Sequence, residues 1–283
     1  MSHLFKSGSS IFKVGDNIFK VNDRLNTIVQ NKGGFGGVIE GLRFDPISAN
    51  ARVAISSGAS CKIVDTDSFA TIASVTFPGS CIGFAWDSPN NKLYVTAANK
   101  LYIVNTNSWV ATDSGLAVGS YNGLALDPNP SNCRLVISGG NKLHFYDIAT
   151  HTITSSITSG LIGAYGLAFD PLNINRVYVG NYASNYISIV DTDTFTIVDN
   201  LTGYNGPIDI TFDSNPSNNR FLVSEYGSGQ VAYVNRTTNG LIKRISVHSG
   251  LEGISFDPNP VNNRFIIASA SASIYFVVTE VLN

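Results

Sequence analysis

A six-residue phrase that recurs six times constrains the fold of this chain more than any other feature. The copies are GLRFDP at 41–46, GFAWDS at 83–88, GLALDP at 123–128, GLAFDP at 166–171, DITFDS at 209–214 and GISFDP at 253–258. Their aspartates are Asp45, Asp87, Asp127, Asp170, Asp213 and Asp257, which lie 42, 40, 43, 43 and 44 residues apart. A period of about 40–45 residues that contains several short strands is typical of the blades of a β-propeller.

Four strands can be followed in each repeat, and we name them a, b, c and d. In the repeat that begins at Gly166 they are predicted at GLAFD, at NRVYVG (175–180), at YISIVD (186–191) and at FTIVDN (195–200). β-branched and aromatic residues are concentrated in these segments, and Gly, Pro, Asn and Asp separate them. No segment has a sustained apolar period of 3.6 residues, so the sequence predicts an all-β fold with essentially no helix.

The turn between strands c and d gives a second count of the blades. Its polar corner residue is Asp65, Asn105, Asp147, Asp191 or Asn235 in five repeats, with a sixth copy at Asn22. The last repeat has strand a at 253–257, strand b at 264–268 and strand c at 273–278, but no strand d. We therefore expect NTIVQ at 26–30 to supply the missing strand. The closure blade is then built from both termini, which removes exposed strand edges from the ring.

Two short phrases near the N-terminus, SIFKV at 10–14 and NIFKV at 17–21, are surplus to a six-bladed ring. They can form a hairpin that projects from the closure blade, or they can help to build a seventh, irregular blade. We favour six four-stranded blades, with seven as the alternative, because a seventh blade would lack its own phrase. The predicted division is an N-terminal β-hairpin arm and closure strand at 1–30 and a β-propeller at 31–283.

The composition restricts the classes of partner. Charged residues make up 13% of the chain and the formal net charge is −2, whereas roughly 25% charged residues is usual. Such a chain has no broad positive field for nucleic acid or for an anionic membrane. No apolar run approaches the roughly 18 residues of a membrane span, and none near the N-terminus is long enough for a secretory signal. We predict neither a nucleic-acid partner nor a membrane partner.

The six aspartates of the repeat have two interpretations. Carboxylates that recur at one position can form a ring that binds a cation at a channel mouth. An aspartate that opens an Asp-Pro turn also accepts backbone hydrogen bonds without any ligand, and we favour this structural role. The Asp-Thr-Asp sequences at 65–67 and 191–193 likewise favour turns over a calcium site.

Other residues with catalytic or metal-binding chemistry are sparse. The histidines lack metal-binding spacing, and the three cysteines form no CxxC motif. We predict Cys61 and Cys81 to be buried as small apolar side chains. His248 and Glu252 could meet on the channel rim as an acid–base pair, although a histidine in a loop or a cap is the simpler interpretation. We predict no catalytic residue, no metal and no cofactor.

Aromatic residues outside the repeated phrase are the candidate contact residues. Tyr121, Tyr165 and Tyr204 each lie shortly before a strand a, which predicts a place on one rim of the ring. Tyrosines there can stack on sugars or anchor a protein contact, or they can pack between adjacent blades. In the N-terminal arm, Phe12 and Phe19 are the predicted contact residues.

Two segments resemble known families. RVYVGNYASNYISIVDTDTFTIVDNL at 176–201 and KLYVTAANKLYIVNTNSW at 92–109 resemble the YVTN family of β-propeller repeats. That resemblance implies a propeller over 41–278 and, for function, surface and binding roles. SSIFKVGDNIFKVN at 9–22 is similar to short hairpin repeats near the ends of some bacteriophage tail and virion proteins. This second resemblance implies a virion component.

These observations favour a non-enzymatic β-propeller that acts as a structural or protein-interaction component of a phage virion, associated with its tail or capsid. Its partners would be other virion or surface proteins, and it would be located in the virion and could be oligomeric within an assembly. One alternative is a surface propeller that binds carbohydrate or a receptor, located outside the cell or on its surface. Another is an enzyme of the propeller-lyase or lactonase type.

Overall fold

The structure is a computed structural model that describes residues 10–14, 17–21, 27–32, 36–117 and 123–280. These residues form β-strands joined by turns and six short 3-10 segments, so the prediction of an all-β fold with almost no helix is confirmed. Over the same residues, no helix has the length and apolarity needed to cross a membrane.

The strands are numbered in chain order and grouped by blade. Strands β1 to β3 precede the first repeated phrase and span Ser10–Val14, Asn17–Val21 and Thr27–Lys32. The first blade contains β4 (Leu42–Phe44), β5 (Arg52–Ser57), β6 (Ser60–Asp65) and β7 (Thr71–Thr76), and the second contains β8 (Cys81–Asp87), β9 (Lys92–Ala97), β10 (Lys100–Asn105) and β11 (Val110–Ala117). The third contains β12 (Leu124–Leu126), β13 (Arg134–Gly139), β14 (Lys142–Asp147) and β15 (Thr152–Ile157), and the fourth contains β16 (Ala164–Asp170), β17 (Asn173–Asn181), β18 (Tyr186–Asp191) and β19 (Thr196–Thr202). The fifth contains β20 (Pro207–Phe212), β21 (Arg220–Glu225), β22 (Gln230–Asn235) and β23 (Leu241–Ser246), and the sixth contains β24 (Leu251–Phe256), β25 (Arg264–Ser269) and β26 (Ile274–Glu280). The 3-10 segments are Ser48–Asn50, Ser88–Asn90, Pro130–Asn132, Tyr182–Ser184, Pro216–Asn218 and Pro260–Asn262.

The blades form a closed ring. Each of the first five blades is an antiparallel sheet in which the spatial order of the strands equals their chain order. The innermost strands are β4, β8, β12, β16, β20 and β24, and each contacts the next, with β24 returning to β4. The prediction of six four-stranded blades in a β-propeller is therefore confirmed.

The closure blade contains strands from both ends of the chain, as predicted. Strand β3 pairs with β26 in antiparallel register from Lys32 opposite Tyr275 to Thr27 opposite Glu280, and so supplies strand d. The surplus phrases form the hairpin β1–β2, which extends this sheet beyond four strands in the order β24-β25-β26-β3-β2-β1. Strand β2 pairs with β3 at Lys20–Val29 and Val21–Ile28. The two surplus phrases thus belong to the sixth blade, and the division of the chain at residue 30 stays a prediction.

The aspartate of the repeated phrase organises the turn between strands a and b. In the third blade, Oδ1 of Asp127 accepts the backbone N–H of Asn129 at 2.8 Å. Oδ2 of the same carboxylate accepts Nδ2 of Asn132 at 2.9 Å and Nε of Arg134 at 2.5 Å. The equivalent three bonds are made by Asp45, Asp213 and Asp257. These carboxylates are buried within the turns, where they satisfy backbone and side-chain donors.

Two blades depart from this arrangement. Asp170 accepts the backbone N–H groups of Leu172 and Asn173 and pairs with Arg236 from the fifth blade. Asp87 is followed by a shorter turn that ends at Lys92, and within the described residues its carboxylate accepts hydrogen bonds from Asn90 only. The second blade therefore lacks the buried ion pair that stabilises the turn in its neighbours.

The turn between strands c and d has the polar corner that the sequence predicts. Oδ1 of Asp191 accepts the backbone N–H groups of Asp193 and Thr194, each at 2.9 Å. Asp65, Asn105, Asp147 and Asn235 accept the equivalent pair of bonds. Asn22 lies outside the described residues. Since amide and carboxylate oxygens both serve, the bonds need no bound cation.

Arginine side chains at the start of strand b link neighbouring blades by stacking on aromatic rings. The guanidinium of Arg52 in the first blade lies 4.7 Å from the ring centre of Trp86 and 5.5 Å from that of Trp109 in the second blade. Arg134 stacks in the same way on Phe195 of the fourth blade, at 5.7 Å. Each such contact contributes about 0.5–2 kcal/mol. Cys61 and Cys81 are buried free thiols in the core between the first two blades.

Candidate functional site: the central channel

Three sequence positions at or just before each innermost strand are compared between the blades, counted back from the aspartate of the phrase. Five residues before it are Glu40, Ile82, Asn122, Tyr165, Ile208 and Glu252. Four residues before it are Gly41, Gly83, Gly123, Gly166, Asp209 and Gly253. Two residues before it are Arg43, Ala85, Ala125, Ala168, Thr211 and Ser255. We call each set of equivalent residues a layer. The described residues at these positions line the cavities along the channel, except Ile208 and Glu252. Asn122 lies outside the described residues.

The second layer consists of glycine in five of the six blades because the strands approach one another closely there. A Cβ added at Gly41 would lie 1.6 Å from the carbonyl oxygen of Ile82. One added at Gly253 would lie 2.8 Å from the backbone nitrogen of Leu42. A side chain at this layer therefore fits only where it can point into the channel, and Asp209 is the one that does so.

Arg43 and Asp209 are the two departures from the repeat that meet in the channel. Arg43 stands where the other blades have alanine, serine or threonine, and Asp209 stands where they have glycine. Nη2 of Arg43 lies 3.2 Å from Oδ1 and 3.3 Å from Oδ2 of Asp209. The pair joins the first blade to the fifth, which are not neighbours because the sixth blade lies between them.

Asp209 is held by the backbone as well as by Arg43. Its Oδ2 accepts the N–H of Ile254 at 2.9 Å, and its Oδ1 accepts the N–H of Ile210 at 2.9 Å. Burial raises the pKa of this carboxyl, and the Arg43 charge and the backbone donors act in the opposite direction. The carboxylate is therefore fixed in one orientation at the glycine layer of the channel.

Glu40, Tyr165 and Glu252 lie on the side of the channel where the innermost strands begin, and we call them the acidic mouth. Glu252 is 7% exposed, and its carboxyl interacts with the hydroxyl of Tyr165. Its Oε2 atom is buried and has no hydrogen-bond partner among the described residues. Burial first, and then the nearby charge of Glu40, raise the pKa of Glu252 to about 8. Burial likewise raises the pKa of Glu40.

Next to the acidic mouth lies a small cavity lined by Glu40, Arg43, Tyr165 and Asp209, by glycines and by apolar residues such as Ile82 and Phe84, but not by Glu252. Its volume is about 20 Å³, which is enough for one group the size of a water molecule. Burial raises the pKa of Tyr165 well above its ordinary range, and the Glu252 charge is the next cause. The tyrosine hydroxyl is therefore a hydrogen-bond donor to the glutamate at neutral pH.

The opposite end of the channel widens into a funnel of about 470 Å³. Its wall is largely apolar and includes Phe44, Phe169, Phe212 and Phe256, the aromatic residues that precede the aspartates. Arg43 lines the funnel as well as the small cavity, whereas Asp209 lines the cavity alone. The funnel is also lined by Asp213 and Arg236, so both ends of the channel carry charges of both signs.

The contact residues predicted from the sequence lie in different surroundings. Tyr165 lies in the channel and contacts Glu252. Tyr204 is 8% exposed and packs in the core between the fourth and fifth blades, because it lies nine residues before its aspartate and Tyr165 only five. Tyr121 lies outside the described residues. Phe12 and Phe19 are opposite each other in the β1–β2 hairpin, and their side chains lie outside the described part of the structure.

His248 and Glu252 do not form the acid–base pair that is the less favoured interpretation of these residues in the sequence. His248 contacts the hydroxyl of Ser269 and the carbonyl oxygen of Ser249, while Glu252 contacts Tyr165. The aspartates of the repeated phrase are engaged in their separate turns. Within the described ranges, no three side chains of His, Cys, Asp or Glu are grouped closely enough to hold a metal ion.

Sequence reasoning missed the Arg43–Asp209 pair and the role of Glu40. An alignment of the six phrases contains the signal, because Arg43 replaces the alanine, serine or threonine of the other blades and Asp209 replaces their glycine. Tyr182 and Tyr226 are recognisable in the sequence as aromatic residues in loops, on the turns that join strands b and c of the fourth and fifth blades, but their contact with each other is not predicted. These rings are 41% and 36% exposed, and they meet edge to face with centres 5.5 Å apart.

The fold and its channel define the protein as a six-bladed β-propeller, and comparison with known proteins supports that class. The β-propeller domain of Cps50 (Swd1) from Myceliophteria thermophila superposes with a TM-score of 0.65 at 9% sequence identity, covering 89% of this chain and 98% of that one. At this identity the likeness shows the fold alone. No family model matches the sequence, and neither does any curated protein.

Proposed function

We propose that this β-propeller is a non-enzymatic structural component of a phage virion, and that the β1–β2 hairpin is its docking arm. The proposal rests on the position of this hairpin in the closure sheet. It continues the closure sheet beyond the four strands that complete the ring, so it is available for a second task.

The similarity of 9–22 to hairpin repeats of phage tail and virion proteins supports the phage assignment. An added sheet edge is also a suitable docking element, because backbone N–H and C=O groups of an edge strand can pair with a strand of another subunit. We also propose that the blades are of the YVTN type, on the strength of the segments 92–109 and 176–201.

The charged side chains in and around the channel support a scaffold role, because most of them are paired with one another. Arg43 and Asp209 neutralise each other, and four of the six phrase aspartates are paired with arginines at the start of strand b in the same blade. These pairs connect strands and blades, which favours a rigid body over a reactive centre. A rigid ring with a separate arm is well suited to a repeated position in an assembly.

The test compares the full chain with a variant that lacks residues 1–22, each carrying a C-terminal tag. Both are produced in cells that carry the source phage, and purified particles are analysed by mass spectrometry for the tag. We expect the full chain in the particles and the truncated chain only in the soluble fraction. Circular dichroism provides the control, since both chains should melt as folded β-proteins. Equal incorporation of both chains, or absence of the full chain from particles, would contradict the proposal.

A second candidate is a propeller that binds a glycan or a receptor through its exposed surface. The pair formed by Tyr182 and Tyr226 favours it, because two exposed rings on adjacent turns provide a surface on which a sugar can stack. Glycan-array binding that disappears in the Tyr182→Ala variant, but not in Tyr186→Ala, would support this candidate. An array without any binding would eliminate it.

A further inference from the structure

The aspartates of the repeated phrase bind arginine in every blade except the second. In four blades the carboxylate accepts Nε of an arginine at the start of strand b, at 2.5 to 2.7 Å. Asp170 of the fourth blade pairs instead with Arg236, which comes from the fifth blade. Asp87 of the second blade pairs with no arginine of the described residues, and it is 7% exposed.

Asp87 also has fewer other donors than its counterparts. In the other five turns, the residue two positions after the aspartate donates its backbone N–H to the carboxylate. That residue is Pro89 in the second blade, and proline has no N–H group. Within the described ranges, the carboxylate accepts only Nδ2 of Asn90, at 2.9 and 3.1 Å. Since an ionised carboxylate offers about four acceptor positions, Asp87 has capacity for a further donor.

Lys92 occupies the arginine position of the second blade without replacing the arginine. It lies directly opposite Asp87 in the pairing of strands a and b, as Arg134 lies opposite Asp127 in the third blade. Over the described part of the chain, however, the ammonium of Lys92 forms no ion pair. The carboxylate of Asp87 is therefore left without a cation by its own repeat.

Asp87 and Lys92 line a cavity between the second and third blades, which we call the Asp87 cavity. Its volume is about 510 Å³, within the usual range of ligand sites. Leu126, which directly precedes the aspartate of the third blade, also lines it. In the preceding blade, Arg52 stacks on the equivalent residue, Trp86, at 4.7 Å. The Asp87 cavity thus corresponds to the place that an arginine side chain takes in the first blade.

The charges around the Asp87 cavity favour a guanidinium over other cations. Asp127 and Arg134 also line the cavity, but they pair with each other, so Asp87 is the carboxylate that a ligand can engage. Within the described residues, no three metal-binding side chains are grouped. A guanidinium presents planar, paired N–H donors that match a carboxylate, whereas the ammonium of a lysine is a compact charge. The absence of a pair between Lys92 and Asp87 agrees with this preference.

We propose that the Asp87 cavity binds a guanidinium group, which Asp87 accepts as the other phrase aspartates accept arginine. The guanidinium can belong to an arginine side chain of another protein or to a small guanidinium compound. The pair of Asp170 with Arg236 is a precedent within the chain, because there the arginine comes from outside the repeat. This inference does not depend on the virion role, since it concerns the second and third blades and not the N-terminal arm.

An NMR titration with ethylguanidinium chloride, at constant ionic strength, tests the proposal. We expect saturable shifts of the backbone amide signals around the Asp87 cavity. Ethylammonium should bind at least about tenfold more weakly, because it lacks the paired N–H donors. No binding of ethylguanidinium would overturn the proposal. Equal binding of the two cations would also overturn it, because it would indicate only non-specific attraction.

Variants assign the binding to the site. Asp87→Asn should abolish it, whereas Asp199→Asn, which removes an exposed carboxylate of an outer strand, should bind as the native chain does. Lys92→Arg supplies the arginine within the chain, so it should lose the binding of ethylguanidinium and melt a few degrees higher. Unchanged binding in Asp87→Asn or in Lys92→Arg would overturn the assignment. Lys92→Arg keeps the test decisive if Asp87→Asn does not fold.

Two peptides distinguish the sources of the guanidinium. N-acetyl-Gly-Arg-Gly-amide presents an arginine side chain, and the same peptide with citrulline, a neutral urea of similar shape, is the control. Binding of the arginine peptide, but not of the citrulline peptide, would indicate a protein partner that inserts an arginine. Binding of ethylguanidinium alone would indicate a small guanidinium compound. Either outcome supports the site, and binding of the citrulline peptide as tightly as the arginine peptide would contradict it.

Discussion

Arg43 of the first blade forms an ion pair with Asp209 of the fifth blade across the central channel, with Nη2 3.2 Å from Oδ1. The side chain of Asp209 is 7% exposed and that of Arg43 22% exposed. Each residue differs from those at the same position in the other blades, and the two side chains carry opposite charges. The ion pair therefore links two blades that are not adjacent in the ring.

A double-mutant cycle measures the coupling free energy between Arg43 and Asp209. Arg43→Ala leaves the buried carboxylate without its cation and should cost about 3 kcal/mol of unfolding free energy. Asp209→Gly restores the glycine of the other blades but leaves Arg43 unpaired. The double variant should lose at least about 1 kcal/mol less than the sum of the single losses. Denaturant unfolding measures all three, and additive losses would show that the pair does not couple the blades.

Stability should fall as the pH rises through neutrality because of Glu252. The pKa of this carboxyl is raised from 4.5 to about 8 on folding, so between these values the folded chain holds a proton that the unfolded chain has lost. The resulting stabilisation is complete below pH 4.5 and is lost as the pH rises through about 8. It amounts to a few kcal/mol, because a tenfold difference in proton affinity between the folded and unfolded chains corresponds to about 1.4 kcal/mol.

Thermal unfolding between pH 5 and pH 9 measures this dependence. Glu252→Gln, which cannot ionise, should flatten the decline, and the control Asp199→Asn should leave it unchanged. A melting temperature that rises from pH 6 to pH 9 in the native chain would contradict the protonated state of Glu252.

Because the innermost strands approach one another closely, a methyl group added at a glycine of these strands should lower the free energy of unfolding strongly. Gly41→Ala places a Cβ within 1.6 Å of the Ile82 carbonyl oxygen, so the strands must separate. We expect a loss of at least about 3 kcal/mol, above the usual range of point mutations. Gly240→Ala is the control, because its Cβ would meet only the Thr238 hydroxyl at 3.2 Å. Urea unfolding compares them, and similar losses would mean that the strands tolerate a side chain there.

The aspartates of the repeated phrase should differ in their contributions to stability. Asp127→Ala removes three hydrogen bonds and leaves the buried Arg134 without its carboxylate, at a cost of about 3 kcal/mol. Asp87→Ala breaks bonds to Asn90 alone and should cost about 1 kcal/mol. Guanidinium unfolding of both variants measures the difference, and equal costs would argue against the role of the arginine.

The sequence predicts those parts of the fold that repeat. The role of Asp127 in its turn and the use of 26–30 as a closing strand follow from comparing copies of one unit. Arg43 and Asp209 could not be paired in this way, because they lie 166 residues apart and meet only once the ring has closed. Tyr165 and Tyr204 both precede a strand a. They differ in their distance to the aspartate of the phrase: Tyr165, which is closer to it, reaches the channel, whereas Tyr204 packs between blades.

Two truncated chains test whether strand β3 closes the ring. A chain that lacks residues 1–22 keeps strand β3 (Thr27–Lys32) and should melt cooperatively within a few degrees of the full chain. A chain that lacks residues 1–32 loses the strand that pairs with β26 and exposes that edge, so it should melt far lower or aggregate. Equal melting temperatures for the two truncated chains, measured by differential scanning calorimetry, would contradict the closure of the ring by β3.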